Sequence, residues 1–389
     1  MLLPVFALLL ATFGAAAAEP PVLIGLDAEF GLKNSTSAQA IEKGARIAID
    51  EINRAGGVLG GRELQLVTTD NRSVPARARD NLEELAARPN LIAVLCGRFS
   101  PLVLETLDIV HAAKLVELDP WAAADGIVES SHSPNYVFRL SLRDRLAMPA
   151  MLAHARSHGA SRVGLLLPNT SWGRSNHAAA ENAAKALGPA IVAVEWYNWG
   201  DRSFIDKYEH LRTAGAQAIL LVANDLEAAP LVREVAALPP DRRLPIAAHW
   251  GITGGTLFEQ TADALQKVDL AVVQTFSFTR LPPARLAAFK ASHDRLYPPA
   301  DPVRLPSPVG IAHAYDLVHL LARAIDKAGT ADRAQVRDAL ERLRDYDGLV
   351  KRLPEPFTPS RHDALDQDDV FMAAYGPDGV LRPLGKGGR

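Results

Sequence analysis

The run GARIAIDEINRAGGVLGG, from Gly44 to Gly61, constrains the fold more than any other stretch of the chain. Ala45, Ile47, Ala48, Ile49 and Ile52 recur at helical spacing, with Arg46, Asp50, Glu51 and Arg54 between them. That spacing describes an amphipathic helix with one apolar face. Gly56-Gly57 follows directly and can end the helix in left-handed backbone, which glycine adopts without a Cβ clash. Before the run lies VLIGLDAEF, a short apolar stretch ending in polar residues. After it lies RELQLVTTDNRS, which alternates in part. Together these make a strand–helix–strand unit of ordinary βαβ length.

The same alternation continues along the chain. Strands are predicted over 22–26, 64–68, 92–97, 114–119, 136–141 and 162–169, then over 190–198, 216–224, 245–250 and 268–279. Helices are predicted over 76–87, 102–113, 148–159, 175–188, 204–215, 229–238, 310–329 and 333–346. Strands alternating with helices argue for an α/β fold with mostly parallel sheets. Near the end, DDVFMAAYGPDGVLRPL reads as two antiparallel strands around the turn signal Pro377-Asp378-Gly379.

With 389 residues the chain has room for two or three domains. Its 48% hydrophobic and 22% charged residues place it among globular proteins and away from disordered ones. A net charge of −3 gives no basic field for nucleic acid. The single cysteine, Cys96, excludes an intrachain disulfide and a cysteine-rich metal site, and its apolar surroundings predict a buried core thiol. Residues 1–18, MLLPVFALLLATFGAAAA, read as a secretory signal cleaved after Ala18, although no Lys or Arg precedes the apolar run. A membrane anchor is the competing reading, but the run is short for a span and no basic cluster follows it.

GARIAIDEINRAGGVLGGRELQLVTTDNRS resembles the opening of type I periplasmic solute-binding proteins of the leucine/isoleucine/valine-binding family. The order of elements over about residues 20–380 resembles that family too. The resemblance implies two lobes, each a three-layer α/β sandwich, joined by three hinge crossings. These are expected near Arg139, Gln274 and Asp347. One lobe would then hold 19–139 plus 274–346, and the other 140–273 plus 347–389. The ligand would lie between them, at strand ends and helix N-termini.

On that reading a set of cleft residues follows. Gly97-Arg98-Phe99-Ser100 ends the third strand. The resemblance gives Ser100 the role of offering its hydroxyl, with helix-start amides, to a ligand carboxylate, and helix N-termini favour anions; Ser100 could equally be a plain helix cap. Trp121, Ala122 and Ala123 follow the next strand, where the family typically has Ser-Pro-Ala-Ala-Thr. Trp121 takes the place of the first alanine and Ala123 that of the threonine, so a hydroxyl is lost and a large ring gained. Trp172 stands where the family often has an aromatic residue that stacks on the ligand. Asn224 could meet the ligand or cap the next helix.

Trp250 occupies the place where amino-acid binders carry an acidic partner for the ligand's ammonium. Unless Glu29, Asp119 or Asp225 substitutes, an amino acid would bury an unpaired charge. Three tryptophans therefore suggest a flat or apolar ligand, one carrying a carboxylate, or a cation held by aromatic faces. Arg98 could pair with a ligand anion or bridge to protein. Phe99, Gln274 and Phe276 complete the candidates, and Tyr315 reads as core.

The function so implied is solute capture for an ATP-driven importer, with a membrane permease as transient partner, a monomeric state and a periplasmic location. A sensor of the same fold is the alternative. An enzyme has little support: the 11 histidines are scattered, and His154 and His158, four apart on a helix, have no metalloprotease context. No phosphate-binding loop or dinucleotide motif is present, and neither metal nor cofactor is expected.

Overall fold

A computed structural model describes residues 19–385. The expected leader therefore lies outside the described residues. The first lobe opens with β1 (Val22–Ala28), α1 (Ser37–Arg54), β2 (Leu64–Asp70), α2 (Pro75–Ala86), β3 (Leu91–Cys96), α3 (Ser100–Ala112), β4 (Val116–Asp119) and β5 (Val137–Arg139). Its five strands pair in parallel in the order β2-β1-β3-β4-β5. The Gly56-Gly57 stop behaves as the sequence requires: φ is 110° and 72°, and the Gly57 N–H donates to the Ile52 carbonyl at 2.9 Å.

The second lobe follows as α4 (Asp144–Ser157), β6 (Arg162–Pro168), α5 (Ser171–Leu187), β7 (Ala190–Tyr197), α6 (Ile205–Thr213), β8 (Ala218–Leu221), α7 (Asp225–Ala237), β9 (Ile246–Ala248), α8 (Leu257–Thr261) and β10 (Leu270–Gln274). The chain then returns to the first lobe with α9 (Pro283–Leu296), α10 (Pro308–Ala328), α11 (Arg333–Leu340) and the short hairpin β11 (Tyr346–Asp347) and β12 (Arg352–Leu353). It ends in the second lobe with β13 (Phe371–Tyr375) and β14 (Leu381–Pro383). These close a sheet of order β14-β13-β10-β9-β8-β6-β7, in which β13 and β14 run antiparallel. The sheet is sandwiched: Leu165, Leu167 and Leu220 share a core with α4 and α5, while Leu166, Ile219 and Leu221 face α6 and α7. Period-2 alternation along β6 and β8 sets this division. Among the described residues no helix is long and apolar enough to cross a membrane.

In the first lobe α1 packs along α10. Gly44 sets their closeness, since a methyl there would collide with the Ile311 carbonyl oxygen. Gly44→Val is expected to force the helices apart at a cost of about 1–3 kcal/mol. The measurement is the denaturant midpoint, with an unchanged slope marking a pure stability effect.

One sequence expectation is corrected. The charged helix foreseen over 333–346 stops at Leu340. Asp316 of α10 explains this: its buried carboxylate accepts from the Tyr346 hydroxyl at 2.6 Å and from the Leu349 and Val350 amides at 2.7 and 2.8 Å. Burial pushes that carboxyl up to about 6, while these donors act in the opposite direction. Three donors on one buried acid hold Tyr346–Val350 as a hairpin, so the helical pattern is overridden.

The hairpin after α11 is thus anchored on α10, and the segment after it pairs in parallel with β5 at Asp363. There Arg139 N–H donates to the His362 carbonyl at 2.8 Å and Ala364 N–H donates to the Arg139 carbonyl at 2.9 Å.

Candidate functional site

The cleft between the lobes lies where β3, β4, β8, β9 and β10 end. Parallel strands deliver all their C-terminal loops to one side, so Arg98–Ser100, Trp121–Ala124, Asn224–Asp225, His249–Thr253 and Gln274–Phe276 converge. The tryptophans meet there. Trp121 of the first lobe and Trp250 of the second have ring centroids 5.6 Å apart, and each is 1% exposed. Trp172 packs edge-on to His249 at 5.0 Å, and His249 in turn lies 6.4 Å from Trp250. All three rings thus join one aromatic array across the cleft. Trp121 reaches its place over Gly310, where an added methyl would come within 2.9 Å of the ring.

Polar groups fix the array. Asp144, the first residue of α4, accepts from Trp172 Nε1 at 3.2 Å and from His249 Nε2 at 3.1 Å. This bond assigns the proton to His249 Nε2. His313 of α10 lies 5.7 Å from Trp250, donates from Nδ1 to the Pro120 carbonyl at 2.9 Å and accepts from the Thr275 hydroxyl at 3.1 Å. Desolvation pushes the His313 imidazole down to about 4, so it stays neutral at ordinary pH.

The alanine loop is already occupied. Ser100 is the first residue of α3, not its cap, and its hydroxyl accepts from the amides of Ala123 and Ala124, both at 3.1 Å. Those amides are therefore met by Ser100. The Ala122 carbonyl accepts from the Ser141 hydroxyl at 3.3 Å, and the Ala123 carbonyl accepts from the Asp144 amide at 2.9 Å. Asn224 sits at the cap position of α7 without a capping bond, its carbonyl oxygen close to Gly251. Gln274 is 1% exposed, and both ends of its amide lack a partner. Phe276 is a core residue instead: it stacks edge-on to Phe278 at 4.9 Å.

Phe99 faces the cleft mouth. Its ring lies 5.2 Å from Trp199 of the opposite lobe, and the Arg98 guanidinium lies 4.7 Å from its centroid. Sequence reasoning missed Trp199, Asp144 and His313. An aromatic residue just beyond a strand end, in NWGD, was the available signal for Trp199. Of the three acids considered as ammonium partners, Asp119 points away: it accepts from the Trp121 amide at 2.9 Å, and burial pushes it up to about 7 against the pull of Arg139. Glu29 and Asp225 both face Arg98, at 3.7 Å and 3.0 Å.

The cleft centre is filled by these side chains, and space lies on its flanks. One groove of about 710 Å³ is bounded by Leu104, Asp125, Arg145, Ser171, Arg174 and Ala178. Another of about 350 Å³ is bounded by Thr253, Phe258, Ser277, Arg304, Tyr375 and Val380. Both draw residues from both lobes. Cys96 is buried, as expected, and burial pushes its thiol well up, which leaves it inert as a nucleophile.

Known proteins with this architecture were compared with the chain. The Leucine-, isoleucine-, valine-, threonine-, and alanine-binding protein of Pseudomonas aeruginosa is 24% identical over 298 residues, which is 76% of this chain and 76% of that protein. A periplasmic binding protein type 1 from Bordetella pertussis superposes with a TM-score of 0.83 at 20% identity, covering 93% of this chain and 99% of its own. A solute-binding protein from R. palustris, solved in complex with 4-hydroxybenzoate, superposes with a TM-score of 0.77 at 17% identity, covering 93% and 95%. These structures share the type I two-lobed fold. The profile of the family described as periplasmic binding protein matches residues 26–373, nearly the whole described chain, and the chain belongs to that family of solute-binding proteins.

Proposed function

We propose that this protein is the extracytoplasmic solute-capturing component of an ABC importer. It takes a flat or apolar carboxylate between its lobes and docks on a membrane permease as a monomer. Its first eighteen residues serve as an export signal removed near Ala18. The observation that supports the reading is the aromatic array: Trp121 from one lobe packs on Trp250 from the other, and Trp172 joins them through His249. Solute bridging both lobes shifts the open–closed balance toward the closed form, which the permease recognises.

The absence of an acid at position 250 supports a solute without an ammonium group. Glu29 and Asp225 are both turned to Arg98, whose charge already offsets theirs. The likeness to a protein that holds 4-hydroxybenzoate supports an aromatic acid, although that likeness is one of fold. Ser100, Ala122, Ala123, Asn224, Gln274 and the three tryptophans would meet the solute after the lobes part, and Phe99 would line the mouth.

Thermal-shift screening of protein refolded free of carried-over solute tests this. Binding to the native state alone stabilises by about 2.7 kcal/mol at one hundred times the dissociation constant. Benzoate or 4-hydroxybenzoate is expected to raise the melting temperature, and leucine to leave it unchanged. A clear rise with leucine, and none with any aromatic acid, would overturn the solute class.

A further inference from the structure

We propose that Arg98 and Asp225 form an internal latch that holds the two lobes closed when no solute is present. Arg98 leaves the end of β3 in the first lobe, and Asp225 opens α7 in the second. Arg98 Nη1 donates to Asp225 Oδ1 at 3.0 Å, with the two side chains 1% and 0% exposed. The pair is thus both between lobes and sealed from water.

The neighbouring residues are built around this pair. Glu29 lies on its first-lobe side, 3.7 Å from Arg98 Nε, and accepts from the hydroxyls of Ser35 and Ser37. Gly254 and Gly255 of the second lobe cover it with bare backbone: a methyl at Gly254 would strike the guanidinium, and one at Gly255 would strike the Asp225 carboxylate. Around that cover the backbones clasp. The Thr36 and Ser37 amides donate to the Gly254 carbonyl at 2.9 and 3.2 Å, Ser35 bridges to Gly255, and the Ser307 hydroxyl donates to the Thr253 carbonyl at 3.0 Å.

Closure in a binding protein ordinarily needs something charged or polar to bridge the lobes. Here the chain supplies the bridge from its own side chains, and Trp121 and Trp250 meet across the lobes as well. Burial raises the Asp225 carboxyl against the pull of Arg98. The pair is therefore held by closure as much as it holds closure: parting the lobes hydrates both ions, and removing one partner strands the other in a dry place. Arg98 Nε and Nη2 and Asp225 Oδ2 have no partner in the closed state. A solute group that reaches them has capacity to bind, but only after the latch opens. The inference stands whichever solute the cleft takes, because its test contains none.

The test is small-angle scattering on solute-free protein, with acrylamide quenching of tryptophan fluorescence as the second readout. Wild type is expected near a radius of gyration of about 21 Å, the value for a compact chain of this length. Asp225→Asn and Arg98→Gln are each expected to raise it by about 1 Å and to raise the quenching constant about two-fold, as Trp121 and Trp250 part. The double variant should open no further than either single one, because both remove the same bond. Far-UV dichroism checks folding, and if one single variant fails to fold, the other probes the same pair from the opposite lobe. Wild-type scattering and quenching in both single variants, or an already open wild type, would overturn the latch.

Discussion

Arg139→Met is expected to cost about 3–5 kcal/mol of folding stability, because it removes one partner of a buried ion pair and leaves the other dry. Arg139 is 0% exposed and stands where two crossings run side by side. Its Nε donates to Asp363 Oδ1 at 2.6 Å, and its Nη1 donates to the Ala124 carbonyl at 2.9 Å. Arg143 takes the other oxygen of Asp363 at 2.7 Å. One guanidinium therefore ties the alanine loop of the cleft to the last crossing.

The pH dependence follows from Asp363. Its burial opposes ionisation, yet Arg139 and then Arg143 hold the carboxyl below its usual range. A depressed folded value means that this stability is present above the unfolded value, near 3.8, and is lost as pH falls through the folded one. Without Arg139 only Arg143 still opposes burial and the carboxyl is depressed less, so acid unfolding should begin at higher pH than in wild type. Equilibrium denaturation between pH 3 and pH 7 measures both effects. A variant with wild-type stability and an unshifted acid limb would show that Arg143 alone suffices.

Trp121→Ala is the second large effect, expected at about 3–5 kcal/mol, the range for truncating a buried large aromatic side chain. Trp121 is among the largest fully buried side chains and is seated between Gly310 and Trp250. Its loss leaves a void at the lobe boundary, not deep in one lobe. Calorimetry should therefore show a lower melting temperature and a transition that broadens or splits, as the lobes lose their shared packing. A cycle with Trp250→Ala is expected to give a coupling of about 0.5–1.5 kcal/mol, the range for aromatic pairs in contact. Additive losses would mean that the two rings do not support one another.

The βαβ opening and most of the α/β succession were legible because helix and strand periods are written in local spacing. That the tryptophans come together could be read because each follows a strand end, and parallel sheets bring such ends together. What stayed hidden depends on partners far away in sequence. Arg98 and Asp225 are 127 residues apart, and His249 and Asp144 are 105 apart, so nothing local distinguishes them from solvated charges. The helix foreseen over 333–346 failed through Asp316, a single buried acid that no local pattern can report. Ser100 was placed in the cleft, but its partners are backbone amides of a neighbouring loop, which sequence does not mark.

The interleaved route of the chain has a consequence for how the molecule is made. The sheet of the second lobe is completed on one side by β13 and β14, the last strands of the chain. The helical layer that α1 begins in the first lobe is completed only when α10 and α11 arrive. Neither half of the sequence contains a finished core, so neither can settle as an early fragment while the rest is still being synthesised. Pairings this distant are slow to form, and their entropic cost is met only when the ends come together. A nascent chain of this design completes both sheets and their helical cover only when its last elements have been made.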